Sequence, residues 1–222
     1  MRIIAGHWKG RRIKTTEGEG YRPAMGKVRE AVFSMLSSRG VQWEEARVLD
    51  VFAGSGSLGW EALSRGAREV CFIESDPKAL RLLREQVSSF SRPGQLVRVL
   101  PGDALRILAA SPKSSGKRVF RLSVDDPTCE APPNQGYNVL FLDPPYGRGL
   151  LGRALALAHA HGWIAPKALV CVEVEADADV TEMELPGYEL ETDRLYGQTR
   201  IILWKKITAR NESPSIPEPS IP

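Results

Sequence analysis

Apolar runs alternate along the chain with segments of helical periodicity. Four runs of β-branched and aromatic residues are typical of strands covered on both faces, at 48–52, 68–74, 96–100 and 137–142. Segments with apolar residues at helical spacing surround these runs, at 24–37, 58–63, 79–87, 104–110 and 149–162. Strands that alternate with helices in this way predict an α/β fold with a mostly parallel sheet.

The last third of the chain predicts three further strands. A buried run at 168–174 precedes two segments of alternating polarity, 188–195 and 199–205. They predict a closing pair of strands, and thus a seven-stranded sheet with a C-terminal antiparallel strand. If the first member of the pair runs parallel to the earlier strands, the turn after it lies at their carboxyl edge. The substrate contacts expected there are Arg194, Tyr196 and Gln198.

The length of 222 residues suits one domain with small additions. We expect a basic N-terminal β-arm at 1–20 and a main domain at 21–207. Within that domain, residues 111–135 shift to Ser, Pro, Lys, Asp and Gly, and they predict an inserted surface loop or hairpin. The Pro-, Ser- and Glu-rich tail at 208–222 is typical of disorder.

The first buried strand leads into a glycine turn and then a helix. Gly54 and Gly56 allow a tight turn close to a ligand, and the helix after them directs free N–H groups toward that turn. The spacing Gly54-x-Gly56-x-x-Gly59 also fits a dinucleotide site. Asp50 argues against that alternative, because a carboxylate at the mouth of the turn would repel a pyrophosphate and attract an ammonium or another cation.

S-adenosylmethionine carries both an ammonium and a sulfonium group. The sequence Asp-x-Phe-x-Gly-x-Gly that ends the first strand resembles the first motif of Rossmann-like methyltransferases. A purely structural joint between strand and helix remains the alternative. The cofactor contacts expected from this stretch are Asp50, Phe52, Ala53, Gly54 and Gly56.

Two further acidic residues follow buried strands. Glu74 ends the second strand and is suited to accept both ribose hydroxyls. A helix cap is the weaker alternative for it, because Asp76 followed by Pro77 already fits that role. Asp103, followed by Ala104, comes after the third strand, where its carboxylate would accept the adenine amino group or simply cap the next helix. The sequence leaves both roles of Asp103 open.

The fourth buried strand ends in Asp143, Pro144, Pro145 and Tyr146. In an open α/β sheet this strand would lie beside the first, so that both motifs meet in one cleft. An exocyclic base amine is a poor nucleophile, since its lone pair is delocalised into the ring. Asp143 and the Pro144 carbonyl would each accept an N–H from it, which orients the lone pair and stabilises the charge that develops on nitrogen. Tyr146 would stack on the base, and no metal is required.

Positive charge is concentrated at the start of the chain. The formal charge is only +3, but residues 1–39 hold nine Lys and Arg against three Glu, whereas 170–193 hold nine acidic residues and no Lys or Arg. In the basic segment, phosphate contacts, with Trp8 on a sugar or base, are favoured over a solvated hairpin. The acidic run is more typical of solvated surface than of a metal site. The predicted nucleic-acid contacts are Lys9, Arg11, Arg12, Arg22, Arg148 and Gln198.

The number and spacing of the cysteines indicate the cellular compartment. Cys71, Cys129 and Cys171 form neither a CxxC pair nor an even disulfide set, which favours a reduced cytoplasmic setting. No apolar run is long enough to cross a bilayer, and the N-terminus lacks the apolar segment of a signal peptide. We therefore expect a cytoplasmic protein without membrane contact. A monomer is expected, since nothing in the sequence indicates an obligate dimer.

Five segments together resemble the bacterial RsmD family, at 2–12, 22–33, 49–59, 141–146 and 196–199. The resemblance spans residues 1 to about 206, apart from the insert. It implies a Rossmann-like class I methyltransferase that transfers methyl from S-adenosylmethionine to the N2 amine of a guanine in 16S ribosomal RNA, in the 30S subunit or its late precursor. It also assigns cofactor roles to Asp50, Gly54, Gly56, Glu74 and Asp103 and a catalytic role to 143–146.

Two departures from the family leave the substrate contacts open. Relatives usually carry Thr-x-Asp-Arg after the Arg-Pro pair, where residues 24–27 of this chain read Ala-Met-Gly-Lys. The insert at 111–135 lengthens the path from the third to the fourth strand.

Without the family resemblance, the residues allow three other functional classes. A DNA or RNA amino-methyltransferase that acts on adenine N6 or cytosine N4 would use the same Asp-Pro-Pro-Tyr motif, although no segment is large enough for a separate target-recognition domain. An NAD-dependent oxidoreductase is disfavoured by Asp50. A non-catalytic ribosome-binding protein would not need both acidic strand ends and the Asp-Pro-Pro-Tyr motif.

Overall fold

We describe the fold from a computed structural model, over residues 1–16, 23–90, 92–111, 120–122, 136–145, 149–178 and 186–207. The helices in these ranges are α1 (Pro23–Ser38), α2 (Ser57–Ser64), α3 (Pro77–Val87), α4 (Ala104–Leu108) and α5 (Leu150–Ala160). The strands are β1 (Arg47–Val51), β2 (Glu69–Glu74), β3 (Leu96–Pro101), β4 (Phe120–Leu122), β5 (Tyr137–Leu142), β6 (Ile164–Glu175), β7 (Tyr188–Tyr196) and β8 (Thr199–Lys206).

All eight strands form one sheet in the order β4-β3-β2-β1-β5-β6-β8-β7. β1, β2, β3, β5 and β6 are parallel to one another. β8 is antiparallel to both β6 and β7, so β7 runs in the direction of the parallel strands. The predicted mostly parallel sheet with a C-terminal antiparallel strand is confirmed, and β5 lies beside β1 as expected.

Two elements of the sheet differ from the prediction. β4 lies within the segment predicted to be an insert and pairs antiparallel with β3, which gives eight strands where seven were expected. A three-residue strand among Ser, Asp and Pro leaves no periodic signal. β6 begins at Ile164, ahead of the predicted start at 168, because exposed Pro166 and Lys167 interrupt its apolar pattern.

Helices cover both faces of the sheet. Buried side chains of α1, α2 and α3 form one hydrophobic cluster with one face, and those of α4 and α5 form a second cluster with the other. This is the α/β arrangement that the alternation of strands and helices predicted, and it is the Rossmann-like form that the family resemblance implied. Residues 17–22, most of 111–135 and the tail at 208–222 lie outside the described residues. In the described part, no helix is long and apolar enough to cross a membrane.

The N-terminal arm is a hairpin that packs on the main core. The backbone of Arg2 bridges that of Arg12, and Ile3, Trp8 and Ile13 are 2%, 9% and 1% exposed in the first hydrophobic cluster. The Trp8 ring meets the Phe90 ring edge-on, with centroids 5.6 Å apart. The prediction that Trp8 packs on a sugar or base is therefore wrong, since apolar burial produces the same aromatic signal in a basic segment.

A buried carboxylate anchors this arm to α2. Glu61 is fully buried and accepts N–H bonds from Ile4 at 2.7 Å and Ala5 at 2.9 Å. The Arg65 Nε donates to the same carboxylate at 3.0 Å, and the buried Arg29 Nε lies 3.9 Å away. A charge can remain buried when it is paired and hydrogen-bonded in this way. Arg29 thus belongs to the interior.

Ser64, at the end of α2, makes a second attachment. Its carbonyl accepts the His7 N–H at 2.7 Å, and its hydroxyl accepts the Trp8 N–H at 3.0 Å and donates to the Ala5 carbonyl at 2.6 Å. A Cβ on Gly6 would lie 2.0 Å from the Ser64 carbonyl oxygen. The arm and α2 therefore meet backbone to backbone.

We predict that Trp8→Ala lowers the free energy of unfolding by about 3 kcal/mol, because it leaves a cavity beside Phe90. Lys9→Ala, at the exposed neighbouring position, should change it by no more than about 0.5 kcal/mol. Urea denaturation followed by fluorescence or circular dichroism measures both. A Trp8→Ala protein with unchanged stability would contradict the core assignment.

Candidate active site

Two neighbouring strand ends form the candidate site. β1 and β5 pair in parallel, with Asp50 opposite Phe141 and Val51 opposite Leu142. The turn after β1 and residues 143–145 therefore leave the sheet side by side at its carboxyl edge. The glycine turn and the Asp-Pro-Pro segment thus lie at the switch in strand order, which is where open α/β sheets bind ligands.

The turn after β1 alternates into the left-handed region. Phe52, Gly54 and Gly56 have φ angles of 63°, 52° and 76°. Such a φ is uncommon for a residue with a side chain and costs of order 1–3 kcal/mol where it is strained. The turn is nonetheless held in place, since the Ala53 N–H donates to the Ile73 carbonyl at 3.1 Å and the Gly56 N–H to the Ala53 carbonyl at 2.7 Å.

The N-terminus of α2 differs from those of the next two helices. Asp76 caps α3 and Asp103 caps α4 through side-chain hydrogen bonds, whereas Gly56 precedes α2 without a side-chain cap. The first N–H groups of an α-helix have no partner within the helix and carry its positive dipole end. The α2 N-terminus is therefore suited to a carboxylate or another anionic group of a ligand.

Gly56 and Gly59 allow α2 to pack closely. A Cβ on Gly56 would lie 2.6 Å from Leu83 Cδ2 of α3, and one on Gly59 would lie 2.2 Å from Phe72 Cε1 of β2. The third glycine of the Gly-x-Gly-x-x-Gly pattern thus serves the contact between helix and sheet. This is a packing requirement that both a dinucleotide site and a methyltransferase site would impose.

Asp50 lies beneath the turn, which corrects the expected position at its mouth. Its side chain is buried, with 3% exposure, and Oδ2 accepts the Gly59 N–H at 2.9 Å. Burial raises the pKa of Asp50 to about 8, the Gly59 hydrogen bond lowers it in part, and the nearby Glu74 charge raises it further. Asp50 therefore braces the first turn of α2, and a cationic group bound nearby would favour its ionised form.

Glu74 connects the end of β2 to the glycine turn. Oε2 accepts the Gly54 N–H at 2.6 Å, and Oε1 accepts those of Ser75 at 2.6 Å and Asp76 at 2.7 Å. The predicted cap of α3 by Asp76 is confirmed by its 2.8 Å bond from the Ala79 N–H. A carboxylate offers about four acceptor positions, so Glu74 keeps capacity for a ribose hydroxyl. Its ribose role stays a prediction.

Asp103 lies next to Glu74 at the same edge. The Gly102 N–H donates to the Glu74 carbonyl at 2.8 Å, and Asp103 Oδ1 accepts the Arg106 N–H at 2.9 Å. The capping role is therefore present, while the adenine contact stays a prediction. Ala104 is buried in the second hydrophobic cluster.

The Asp-Pro-Pro segment presents alternate residues to solvent. Asp143 and Pro145 are exposed, while Pro144 between them is buried. An anchored proline holds the backbone on either side of it. Tyr146 and Arg148 lie outside the described residues, so their stacking and nucleic-acid roles stay predictions.

Glu173 is an acidic residue that the sequence analysis did not single out. The pairing of Leu142 with Val172 brings Asp143 level with Glu173 on the neighbouring strand. Burial raises the pKa of the Cys171 thiol, and the charges of Glu173 and Asp143 raise it further. Burial also raises the pKa of Glu173 itself. An acidic residue near the end of an apolar strand, as with Asp50, was the available signal.

Comparison with known proteins identifies the family. The family model described as "Conserved hypothetical protein 95" matches residues 1–127 and 125–205. The Ribosomal RNA small subunit methyltransferase D of Haemophilus influenzae is 34% identical over 178 residues, which cover 80% of each chain. The chain belongs to the RsmD family.

Further relatives align with this RsmD-family chain over nearly its whole length. The protein of the same name from Escherichia coli K12 is 31% identical over 213 residues, 96% of this chain and 93% of the relative. The solved structure of Escherichia coli yhhF, named there as a candidate methyltransferase, superimposes with a TM-score of 0.72 at 30% identity, over 93% of this chain and 98% of that one. The fold is that of class I methyltransferases.

The predicted nucleic-acid contacts of this RsmD-family chain lie at two edges. Gln198 is exposed in the turn after β7, at the carboxyl edge, as the parallel direction of β7 requires. Lys9, Arg11 and Arg12 are exposed on the arm near the C-terminal ends of α2 and α3, which is the amino edge of the sheet. The arm cations are therefore not brought to the active site. Arg22 lies outside the described residues.

We predict that Gly59→Ala destabilises the fold by about 1–3 kcal/mol, because the added methyl overlaps the Phe72 ring. Gly152→Ala is the matched control, since a Cβ there meets nothing within 4 Å on α5. It should stabilise the protein by about 0.5–1 kcal/mol. Chemical denaturation distinguishes the two, and equal stabilities would contradict the packing role of Gly59.

Asp50→Asn should change how stability depends on pH. Asp50 binds its proton more tightly in the folded than in the unfolded chain, so its contribution to stability is present below about pH 4 and is lost as the pH rises toward 8. Asparagine keeps an acceptor for Gly59 but does not titrate. The stability of the variant relative to wild type should therefore rise between pH 5 and pH 8, on the order of 3 kcal/mol. A pH-independent difference would contradict the raised pKa.

Proposed function

We propose that this chain transfers a methyl group from S-adenosylmethionine to the N2 amine of a guanine in the 16S ribosomal RNA of the small subunit. The adjacent ends of β1 and β5 carry the proposal, because the glycine turn and the Asp-Pro-Pro segment leave the sheet side by side at its carboxyl edge. The Haemophilus influenzae and Escherichia coli relatives are named as ribosomal RNA small subunit methyltransferases, which supports this substrate class.

The residues at the carboxyl edge fit S-adenosylmethionine. Gly56 gives the N-terminus of α2 no side-chain cap, so the N–H groups there that Asp50 does not accept suit the carboxylate of its methionine part. Asp50 beneath the turn favours a cationic group nearby. Phe52 and Ala53 shape the turn, Glu74 keeps an acceptor for a ribose hydroxyl, and Asp103 with Ala104 borders the place proposed for adenine. Bound S-adenosylmethionine would supply an electrophilic methyl group on its sulfonium.

Asp143 and the Pro144 carbonyl are the acceptors we assign to the target amine. Each oxygen would accept a hydrogen bond from one N–H of the amine. These bonds orient the nitrogen lone pair toward the methyl donor and stabilise the positive charge that develops on the nitrogen. The buried Pro144 ring keeps this carbonyl fixed. Tyr146 would stack on the base.

Glu173 favours guanine over adenine or cytosine in this scheme. Guanine presents two adjacent donors at its Watson–Crick edge, N1–H and the N2 amine, whereas the amine of adenine or cytosine lies beside a ring acceptor. Two carboxylates level with each other, Asp143 and Glu173, match adjacent donors. Methylation of adenine N6 or cytosine N4 in RNA or DNA is the alternative that the test must separate.

The proposed substrate also indicates the cellular compartment. Small-subunit RNA, free or in the 30S particle and its late precursors, is found in the cytoplasm, and the buried free thiols of Cys71 and Cys171 suit that compartment. We expect the protein to act there as a monomer.

The test incubates the protein with labelled methyl donor and three substrates: 30S particles from cells that lack the corresponding enzyme, protein-free 16S RNA, and duplex DNA. Digestion to nucleosides should yield N2-methylguanosine from the ribosomal substrates. Label in N6-methyladenosine or N4-methylcytidine, or in DNA alone, would overturn the proposal.

Asp143→Ala should lower turnover at least about 100-fold, because one acceptor for the amine is lost, while affinity for S-adenosylmethionine stays within about twofold. Asp177→Ala removes an exposed carboxylate beyond β6 as the control and should retain activity. Glu173→Gln should reduce the preference for guanine. Equal loss of turnover and cofactor affinity in Asp143→Ala would contradict its role.

A further inference from the structure

A basic groove lies at the amino edge of the sheet, opposite the active site. It has a volume of about 780 Å³ and is bordered by the turn of the N-terminal arm, the loop between α2 and β2, and the loop between α3 and β3. Its charged lining consists of Arg65, Arg68, Arg92 and Glu44. Three arginines and one glutamate leave a net charge of +2.

Two of these arginines face solvent. Arg68 and Arg92 are exposed, and the ion pairs of the described residues include neither of them. The Arg65 guanidinium already has partners within the protein: its Nε forms an ion pair with Glu61, and its Cζ lies 4.7 Å from the Phe33 ring centroid. Exposed guanidinium groups on a concave surface are suited to phosphate, which they can bind with two N–H groups at once.

The groove continues into the cations of the N-terminal arm. The His7 N–H on the Ser64 carbonyl places the turn of the arm at the rim of the groove. Arg11 is fixed beside the loop that carries Arg92, since its Nη1 donates to the Ser89 carbonyl at 2.6 Å and its guanidinium lies over the Phe90 ring. We call the combined surface the basic edge, which comprises Lys9, Arg11, Arg12, Arg65, Arg68 and Arg92.

We infer that the basic edge binds phosphates of the RNA substrate at a distance from the reacting base. The inference rests on the proposed function and adds a second contact region to it. A six-residue strand such as β2 spans roughly 20 Å, so the basic edge and the active site lie at opposite ends of the sheet. A short single-stranded oligonucleotide at the active site would not reach the basic edge, whereas a large folded RNA presents phosphates to both.

The two edges also differ in charge in a way that fits this division. The carboxyl edge carries Glu74, Asp103 and Asp143, whose carboxylates suit a cationic donor and base N–H groups but repel phosphates. Phosphate contacts supply a large share of nucleic-acid binding, and cations at the opposite edge would add contacts that these carboxylates cannot make. The basic edge is a surface of the opposite sign on the described part of the chain.

The test compares Arg68→Gln/Arg92→Gln with the wild type and with Arg153→Gln/Lys167→Gln. The control removes the same charge at exposed positions of α5 and β6, away from the arm. Each lost phosphate contact should reduce the slope of log affinity against log salt by about 1. We expect the groove variant to bind protein-free 16S RNA about tenfold more weakly at physiological salt, with a slope lower by about 2.

Further readouts separate this inference from the proposed function. The groove variant should keep wild-type affinity for S-adenosylmethionine and wild-type methylation of a short RNA that holds only the target stem and loop. Its KM for 16S RNA should rise while kcat stays unchanged.

Four results would overturn the inference: wild-type RNA affinity and salt slope in the groove variant, an equal loss in the control variant, an equal loss on the short RNA, or a loss with 30S particles but not with protein-free RNA. The last would assign the groove to a ribosomal protein. Absence of RNA methylation by the wild type would instead refute the proposed function.

Discussion

The hydrogen bond from the Gly59 N–H to the buried Asp50 carboxyl group is the constraint on which the site depends. It fixes the first turn of α2 over the end of β1, while the missing Cβ of Gly59 lets the helix rest on Phe72. Glu74 holds the same turn from the other side through the Gly54 N–H. The turn is therefore shaped by the protein itself, and binding need not meet the cost of ordering it.

The same helix connects the two functional edges. The N-terminus of α2 meets the glycine turn, whereas Glu61 and Ser64 further along hold the N-terminal arm. Eight residues thus span from the proposed donor site to the proposed phosphate contacts. Because Glu61 is buried and accepts two backbone N–H groups of the arm, the arm has a defined position on the domain. That position directs its cations toward the amino edge.

The sequence predicted the sheet well because its parallel strands are nearly continuous apolar runs, and it placed Asp143 beside the glycine turn because strand order follows from the α/β pattern. It failed where the deciding partner is remote in the chain. Glu61 carries no local signal of burial, since the N–H groups that it accepts lie 57 and 56 positions away. Trp8 among cations has the same local signal whether it meets a base or Phe90. Only tertiary packing separates these outcomes.

The attachment of the arm through Glu61, Ser64 and Gly6 has a consequence for protein engineering. Four of its hydrogen bonds use the side chains of Glu61 and Ser64 in α2, and position 6 requires a residue without a Cβ against the helix backbone. A chimera that grafts the arm of one relative onto the catalytic core of another would therefore have to exchange both sides of this contact together. A grafted arm whose backbone took another path would leave the buried Glu61 carboxylate without the N–H groups that positions 4 and 5 now donate to it.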